Sequence, residues 1–183
     1  YLGYAGKGTL NVLSGGKVQA AYVEVGLNLT GNGSAVIDGT NSVLTGTNGI
    51  HVGESGNGTL TVQNGGRVVS GYGYVGQNPT GVGTATITGT GSQWTTTNSF
   101  YLGYSGTGTL NVANGGKVNA GNLYVSIGVN ASGAAIVDGL NSNLSVTNQL
   151  SVGYRGEGSL FVQNGGTASA NSIVIGALAN TDS

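Results

Sequence analysis

A five-residue pattern recurs along this chain with a fixed 25-residue period: glycine, a small residue, leucine or alanine, a variable residue and a β-branched residue. Its seven copies begin at Gly8, Gly33, Gly58, Gly83, Gly108, Gly133 and Gly158. No insertion or deletion separates them. A period of roughly 20 to 50 residues is typical of folds in which structural repeats stack on one another. The spacing therefore predicts a stacked repeat architecture rather than a globular core.

The composition favours β-strands and indicates which partners to expect. The 183 residues include 38 glycines and one proline, with no cysteine and no methionine. The apolar residues are mainly Val, Leu, Ile, Ala and Tyr, several of which favour strands. The formal net charge is −1 and the basic residues are isolated, so we expect no nucleic-acid partner. We also expect no direct membrane insertion, because no apolar run approaches the roughly 18 residues of a membrane-spanning helix.

The best alignment is a 50-residue unit built from two different 25-residue halves. Residues 1–50, 51–100 and 101–150 align without gaps, and 151–183 form a partial fourth unit. The loop before the Gly-x-Gly is two residues longer in the even half, and a later shortening restores the period. Because the pattern begins and ends in mid-repeat, we expect residues 1–183 to be a single solenoid segment of a longer protein.

Alternating apolar and polar residues predict three short strands in each half. Leu10 and Val12 alternate with polar neighbours, as does Val23. A third inward position is held by Val18, or by Leu44 in the even half. Equivalent strands should pair in parallel about 4.8 Å apart, with right-handed connections. The predicted fold class is all-β: a right-handed parallel β-helix, or β-solenoid, of about seven 25-residue rungs with three short strands per rung.

Stacking of the rungs predicts two interior columns of side chains. One alternates large and small residues: Leu10, Ala35, Leu60, Ala85, Leu110, Ala135 and Leu160. The other is β-branched throughout: Val12, Ile37, Val62, Ile87, Val112, Val137 and Val162. We expect the leucines to fill the space left by the alanines, because well-packed interiors contain few voids.

The two alternating patterns resemble a known repeat. VGxxGxGTLxVxNGGxV alternates with GxATITGTGSxW, and this is similar to the repeat shared by passengers of bacterial autotransporters (type V secretion) and some PEP-CTERM-associated surface proteins. The resemblance covers practically the whole chain. It implies export and display on the bacterial cell surface, in adhesion or aggregation. Ser126 departs from the pattern, because glycine stands at the equivalent Gly26 and Gly76.

No catalytic constellation emerges from the sequence. Glycoside hydrolysis requires two carboxylates roughly 5 to 9.5 Å apart. Asp38 and Asp138 share a column but are four rungs apart, and we find no acidic partner at a matching position for Glu24, Glu54 or Glu157. We therefore expect no enzyme and no catalytic residue.

The sequence also predicts no metal and no cofactor. His51 is the only histidine, without cysteine or a neighbouring acidic cluster, so we interpret it as an exposed surface residue. The Gly-Gly pairs are followed by lysine, arginine or threonine rather than by the aspartate of calcium-binding repeats.

Two outward-facing sets are candidate surface-binding residues. If Val23 points inward, four tyrosines point outward: Tyr22, Tyr72, Tyr74 and Tyr124, with Tyr1 and Tyr101 on the adjoining strand. Exposed aromatic rings suit stacking on sugars or packing against another solenoid. The alternative is that tyrosine merely fills a pleated strand surface. The second set is a basic column at every second rung, formed by Lys17, Arg67 and Lys117, which either meets an anionic glycan or keeps the sheet soluble.

Three functions are compatible with these patterns. The leading interpretation is a non-enzymatic, extracellular segment of an autotransporter-like protein on the bacterial cell surface, serving as an adhesin or aggregation rod and as a spacer. Its partner would be a cell-surface glycan or protein, or another copy of itself. The alternatives are a structural fibre, sheath or surface-layer subunit built by end-to-end stacking, and a glycan-cleaving β-helix enzyme.

Overall fold

The computed structural model describes residues 1–176, and all their regular elements are β-strands. The strands are β1 Lys7–Leu13, β2 Lys17–Val25, β3 Asn32–Asp38, β4 Val43–Val52, β5 Asn57–Gln63, β6 Arg67–Val75, β7 Val82–Thr88, β8 Gln93–Thr96, β9 Ser99–Leu102, β10 Thr107–Ala113, β11 Lys117–Ala120, β12 Asn122–Val125, β13 Ser132–Asp138, β14 Asn143–Val152, β15 Glu157–Gln163 and β16 Thr167–Ile175. Within these residues there is no helix with the length and apolarity that crossing a bilayer requires. The last part of the predicted fourth unit, residues 177–183, lies outside the described residues.

The strands form two parallel sheets, and successive turns of the chain stack as a β-solenoid of about seven turns. The first sheet has seven strands in the order β1, β3, β5, β7, β10, β13 and β15. Neighbours in it are displaced by one 25-residue period, as the pairing of Leu10 with Ala35 and of Ala35 with Leu60 shows. The other nine strands form the second sheet, which is also parallel. The predicted solenoid and its period are confirmed.

The prediction of three separate strands in every rung is wrong for most rungs. Only β8 with β9, and β11 with β12, are separate strands on the two sides of a corner. Elsewhere the second and third predicted strands continue as one long strand, such as β4, whose register shifts between Gly46 and Gly49. The reason is that the backbone keeps its pairing with the next rung on both sides of the corner. The one additional residue of β4 at the corner forms a local irregularity in the ladder and does not end the strand.

Unequal corners keep the two kinds of rung aligned. Val18 pairs with Leu44, a step one residue longer than the period, and Leu44 pairs with Val68, a step one residue shorter. Past the second corner the steps are two residues longer and two residues shorter than the period, as Ile50 shows by pairing with Val23 and with Gly73. Each long step and the short step after it restore the 50-residue unit. The predicted difference in loop length between the halves therefore keeps the interior columns in register.

The interior contains the two predicted columns, further aliphatic side chains from the second sheet and a pair of aromatic side chains. Leu60, Ala85 and Leu110 are at most 1% exposed, and the β-branched column is at most 3% exposed in its first six rungs, whereas Val162 at its end is 44% exposed. In the fourth rung the rings of Trp94 and Phe100 lie 4.6 Å apart. The Trp94 indole N–H donates to Ser70 Oγ at 3.0 Å, which satisfies the one polar atom of that side chain.

Buried serines brace the first corner of the even rungs. Ser42 Oγ donates to the carbonyl of Asp38 at 2.7 Å and accepts from the backbone N–H of Gly15 at 3.0 Å. Ser142 makes the equivalent bonds to Asp138 and Gly115. Each serine thus ties a corner of its own rung to the preceding rung.

We predict that Gly73→Ala destabilises the fold. A Cβ at position 73 would lie 2.7 Å from Phe100 Cδ2, so the ring would have to move within a packed interior. We expect the free energy of unfolding, measured by urea denaturation, to fall by about 1–3 kcal/mol. Gly6→Ala is the matched control, because a Cβ there meets nothing within 4 Å and neither glycine has a positive φ. Equal losses in the two variants would contradict this packing.

We also predict a pH dependence at Asp38. Its carboxylate accepts from Gln63 Nε2 at 3.0 Å and from Asn64 Nδ2 at 2.8 Å, and these bonds lower the pKa of Asp38. The bonds therefore stabilise the fold above the unfolded-state pKa of about 3.9, and this stabilisation is lost as the pH falls through the lower folded-state pKa. Wild type should be more stable than Asp38→Asn at neutral pH, with a difference that shrinks in acid. A urea midpoint difference that stays constant over the acid range would contradict the assignment.

Candidate binding face

The last strand segment of each rung, up to the glycine or serine that follows it, carries outward side chains in two columns. In the first column Gly49 pairs with Tyr22 on one side and with Tyr72 on the other. The second column runs through successive rungs: Glu24, His51, Tyr74, Tyr101, Tyr124 and Ser151. Tyr101 therefore lies directly between two of the predicted binding residues. The regular period conceals this relation, because the step from Tyr74 to its partner Tyr101 is two residues longer than the period, as the unequal corners require.

Tyr74, Tyr101 and Tyr124 form a tyrosine stack. The rings of Tyr74 and Tyr101 are 4.8 Å apart with an interplanar angle of 23°, and those of Tyr101 and Tyr124 are 5.4 Å apart at 13°. Tyr104 packs edge-on against the first two rings at 5.9 and 5.5 Å. All three stacked residues are half-buried, and burial raises the pKa of Tyr74. The ring faces between neighbouring tyrosines of the stack are thus occupied by contacts within the protein.

Tyr22 and Tyr72 differ from the stacked tyrosines, because they are 55% and 42% exposed. Gly49, which lies between them, has no side chain to fill the gap. An open groove of about 500 Å³ lies at this point. We call it the tyrosine groove. It is lined by three tyrosines, a histidine, a glycine, two threonines and three amide side chains: Tyr22, Tyr72, Tyr74, His51, Gly71, Thr47, Thr97, Asn48, Asn98 and Gln77.

A second open groove continues the same face. It has a volume of about 370 Å³ and is lined by Tyr101, Tyr104, Tyr124, Ile127, Gln149 and Tyr154. Aromatic side chains therefore border two depressions along one side of the solenoid.

The interpretation of His51 as an exposed residue without companions is wrong. Its side chain is 13% exposed, and its ring lies 4.8 Å from that of Tyr74 and 6.0 Å from that of Tyr22. His51 Nδ1 is 3.7 Å from Glu54 Oε2. The long step at the second corner places His51 opposite Glu24, and the following turn brings Glu54 alongside.

The expectation that Glu24 and Glu54 lack an acidic partner is also wrong. One potential ligand atom from each of Glu24, His51 and Glu54 lies within 4.8 Å of the other two. We call these residues the Glu-His-Glu cluster. Burial raises the pKa of Glu24, and burial together with the charge of Glu24 raises the pKa of Glu54. Burial lowers the pKa of His51, which favours the neutral imidazole.

The basic column has the predicted register but lies away from the grooves. Lys17, Arg67 and Lys117 occupy one position at every second rung, with Val43 and Gln93 between them, and all three are exposed. Lys17 and Arg67 begin the strands whose far ends carry Tyr22 and Tyr72, whereas Lys117 begins β11, which ends before the strand of Tyr124. Neither tyrosine-lined depression has a lysine or arginine among the described residues of its walls. The structure thus separates the two predicted binding sets.

Comparison with known proteins identified no relative. No protein-family model, no curated protein and no solved structure matches this chain. We therefore infer the function from the tyrosine stack, the two grooves beside it and the repeat pattern.

We predict that Tyr101→Ala destabilises the solenoid, because it removes the central ring of the tyrosine stack. Each aromatic pair contributes about 0.5–1.5 kcal/mol beyond the area that it buries, so we expect a loss of about 1–3 kcal/mol in the free energy of unfolding. Tyr4→Ala is the control, since Tyr4 is 58% exposed and lies outside the stack, with its ring 5.9 Å from that of Tyr1. Urea denaturation, monitored by circular dichroism, measures the free energy of unfolding of both variants. A loss at position 4 as large as that at position 101 would show that the stack has no special role.

Proposed function

We propose that this chain is a non-enzymatic, extracellular segment of a bacterial surface protein, acting as an adhesive rod and spacer that binds a neutral glycan in the tyrosine groove. The observation that carries the proposal is the pair Tyr22 and Tyr72, two exposed rings on either side of Gly49 in an open groove.

The spacer role follows from the way in which the solenoid is stabilised. Each rung pairs with the rungs before and after it, so the length grows by about 4.8 Å for every rung. About seven turns give a body on the order of 30 Å long. Such a body keeps one face in the same orientation along its length, which suits the presentation of a binding surface away from a cell.

The lining of the tyrosine groove suits a sugar chain. Aromatic rings pack against the C–H faces of sugars, and side-chain amides and hydroxyls can bond to sugar hydroxyls. Tyr72 and Tyr22 supply the rings, while Asn48, Asn98 and Gln77 supply amides. No lysine, arginine, aspartate or glutamate lines the described walls of the groove. A neutral glycan therefore fits this lining better than an anionic one.

The extracellular assignment rests on the repeat pattern and composition. The pattern resembles that of autotransporter passengers, which implies display on the bacterial surface. A chain without cysteine is compatible with passage across membranes in an unfolded state. A cell-surface glycan is then the partner that the groove would meet.

Glycan cleavage is the second candidate, and the specific observation in its favour is the proximity of Glu24 and Glu54. Retaining glycosidases use two carboxyl groups about 5–5.5 Å apart. However, one oxygen of each carboxylate is buried, and neither residue lines the tyrosine groove. Binding without cleavage fits this arrangement better.

Glycan binding predicts a specific effect of Tyr72→Ala. The chain is tested by calorimetry against soluble neutral glucans, xylans and mannans, and against a polyuronate as an anionic probe. We expect a neutral glycan to bind and Tyr72→Ala to weaken that binding about tenfold, because stacking on one ring contributes on the order of 1 kcal/mol or more. Arg67→Ala is the matched control, since it removes an exposed side chain of similar size from the same strand outside the groove.

Three outcomes would overturn this prediction. Binding of the polyuronate that Arg67→Ala abolishes would assign recognition to the basic column. Release of reducing ends from a bound glycan would favour the enzyme. Self-association of the chain in sedimentation experiments, lost in Tyr72→Ala and without glycan binding, would make a second copy the partner.

A further inference from the structure

The Glu-His-Glu cluster joins two consecutive rungs beside the tyrosine groove. Glu24 on β2 pairs with His51 on β4, and Glu54 lies in the turn after β4. The backbone around Glu54 is held on both sides, because its N–H donates to the carbonyl of Gly26 at 3.0 Å and its carbonyl accepts from Asn78 N–H at 2.8 Å. The three side chains thus project from backbone that the inter-rung ladder already orders.

The donor atoms of the cluster have the spacing of a metal site that needs only small side-chain adjustments. One atom from each of the three residues lies within 4.8 Å of the others, and His51 Nδ1 is 3.7 Å from Glu54 Oε2. Ligands around a tetrahedral zinc ion with bonds of about 2.1 Å are about 3.4 Å apart. Rotations of the glutamate side chains would close the remaining distance.

These donor atoms also have no other partner. Glu24 Oε2, His51 Nδ1 and Glu54 Oε2 are buried and accept or donate no hydrogen bond within residues 1–176. Among the described residues, the imidazole of His51 is the only basic group within ion-pair distance of a carboxylate. Leaving one buried oxygen of each carboxylate and a buried imidazole nitrogen without partners is unfavourable, since buried polar atoms normally have partners. A divalent cation would compensate both carboxylates and use the free lone pair of the imidazole.

We propose that Glu24, His51 and Glu54 bind one divalent transition-metal ion, for which Zn²⁺ is the best match. Zinc is bound by imidazole nitrogen and carboxylate oxygen, often with three protein ligands and one further position. Calcium requires six to eight oxygen ligands, and magnesium keeps a nearly ideal octahedron of oxygens, so a mixed set of three donors suits neither.

Gln77 is the candidate for the remaining position. Its Oε1 is also buried and lacks a partner within residues 1–176. Its backbone N–H donates to the carbonyl of Gly53, the residue before Glu54, so Gln77 stands one rung beyond Glu54. An amide oxygen or a water molecule there would complete four-coordination.

The bound ion would act on structure rather than on a reaction. It would link the rung of Glu24 to the rung of His51 and fix the imidazole against Tyr74, whose ring it already contacts at 4.8 Å. His51 and Tyr74 both line the tyrosine groove. Zinc would thus make the groove wall more rigid, and its binding does not depend on whether the groove binds a glycan.

Metal binding is tested on the chelator-treated chain by calorimetry with Zn²⁺, Ca²⁺ and Mg²⁺, and by thermal denaturation with and without Zn²⁺. We expect one Zn²⁺ per chain and an increase in melting temperature, because a ligand that binds only the folded state stabilises it. His51→Gln and Glu54→Gln should each weaken Zn²⁺ binding about tenfold or more and remove the thermal shift. Glu157→Gln is the matched control, since it removes a carboxylate outside the cluster and should leave both Zn²⁺ binding and the Zn²⁺-induced thermal shift unchanged.

The proposal is overturned if wild type binds no Zn²⁺ at about 100 µM, a level at which a site with low-micromolar affinity would be nearly filled. It is also overturned if Glu54→Gln binds Zn²⁺ as wild type does, or if Ca²⁺ or Mg²⁺ binds more tightly. Circular dichroism establishes that each variant folds. Because Glu54→Gln keeps the size of the side chain and relieves the repulsion from Glu24, it decides the question if His51→Gln fails to fold.

Discussion

The parallel ladder between successive rungs is the interaction on which the rest of this structure depends. A single rung buries too few apolar side chains to offset the conformational entropy lost on ordering, so each rung is stable only against its neighbours. The ladder also restricts the corners. Gly53 has a φ of 72°, and a Cβ there would overlap the carbonyl of Val82 in the next rung. Glycine is thus required by the close approach of two backbones as well as by the turn itself.

Alternation between two kinds of rung gives the solenoid its interior packing and its surface. Leucine meets alanine inside, and Phe100 meets Gly73, so large side chains use the volume that small ones leave. On the outside, the same alternation places Gly49 between two tyrosines and opens the tyrosine groove. One structural device therefore produces both a filled core and an unfilled surface depression.

The tyrosine stack and two members of the Glu-His-Glu cluster, Glu24 and His51, lie in one continuous column. The column begins with Glu24 and His51 and continues as the tyrosine stack, so the contact of His51 with Tyr74 joins a polar site to an aromatic one. The stack keeps its rings in place through mutual contacts, while Tyr22 and Tyr72 remain open to solvent. A rigid aromatic wall beside exposed rings loses little side-chain freedom on binding, which supports the proposed binding of a glycan.

The sequence by itself determined the repeat, the parallel solenoid and the interior columns. Period-2 alternation around Leu10 and Val12 is local, and the regular spacing of the repeat allows little other than stacking. It also indicated that the tyrosines face outward. The tertiary structure decided which outward residues meet, because the alternating long and short steps between rungs depend on how each corner pairs with its neighbour. This is why Glu24, which holds no equivalent position in the repeat pattern, meets the neighbouring pair His51 and Glu54 in a half-buried cluster.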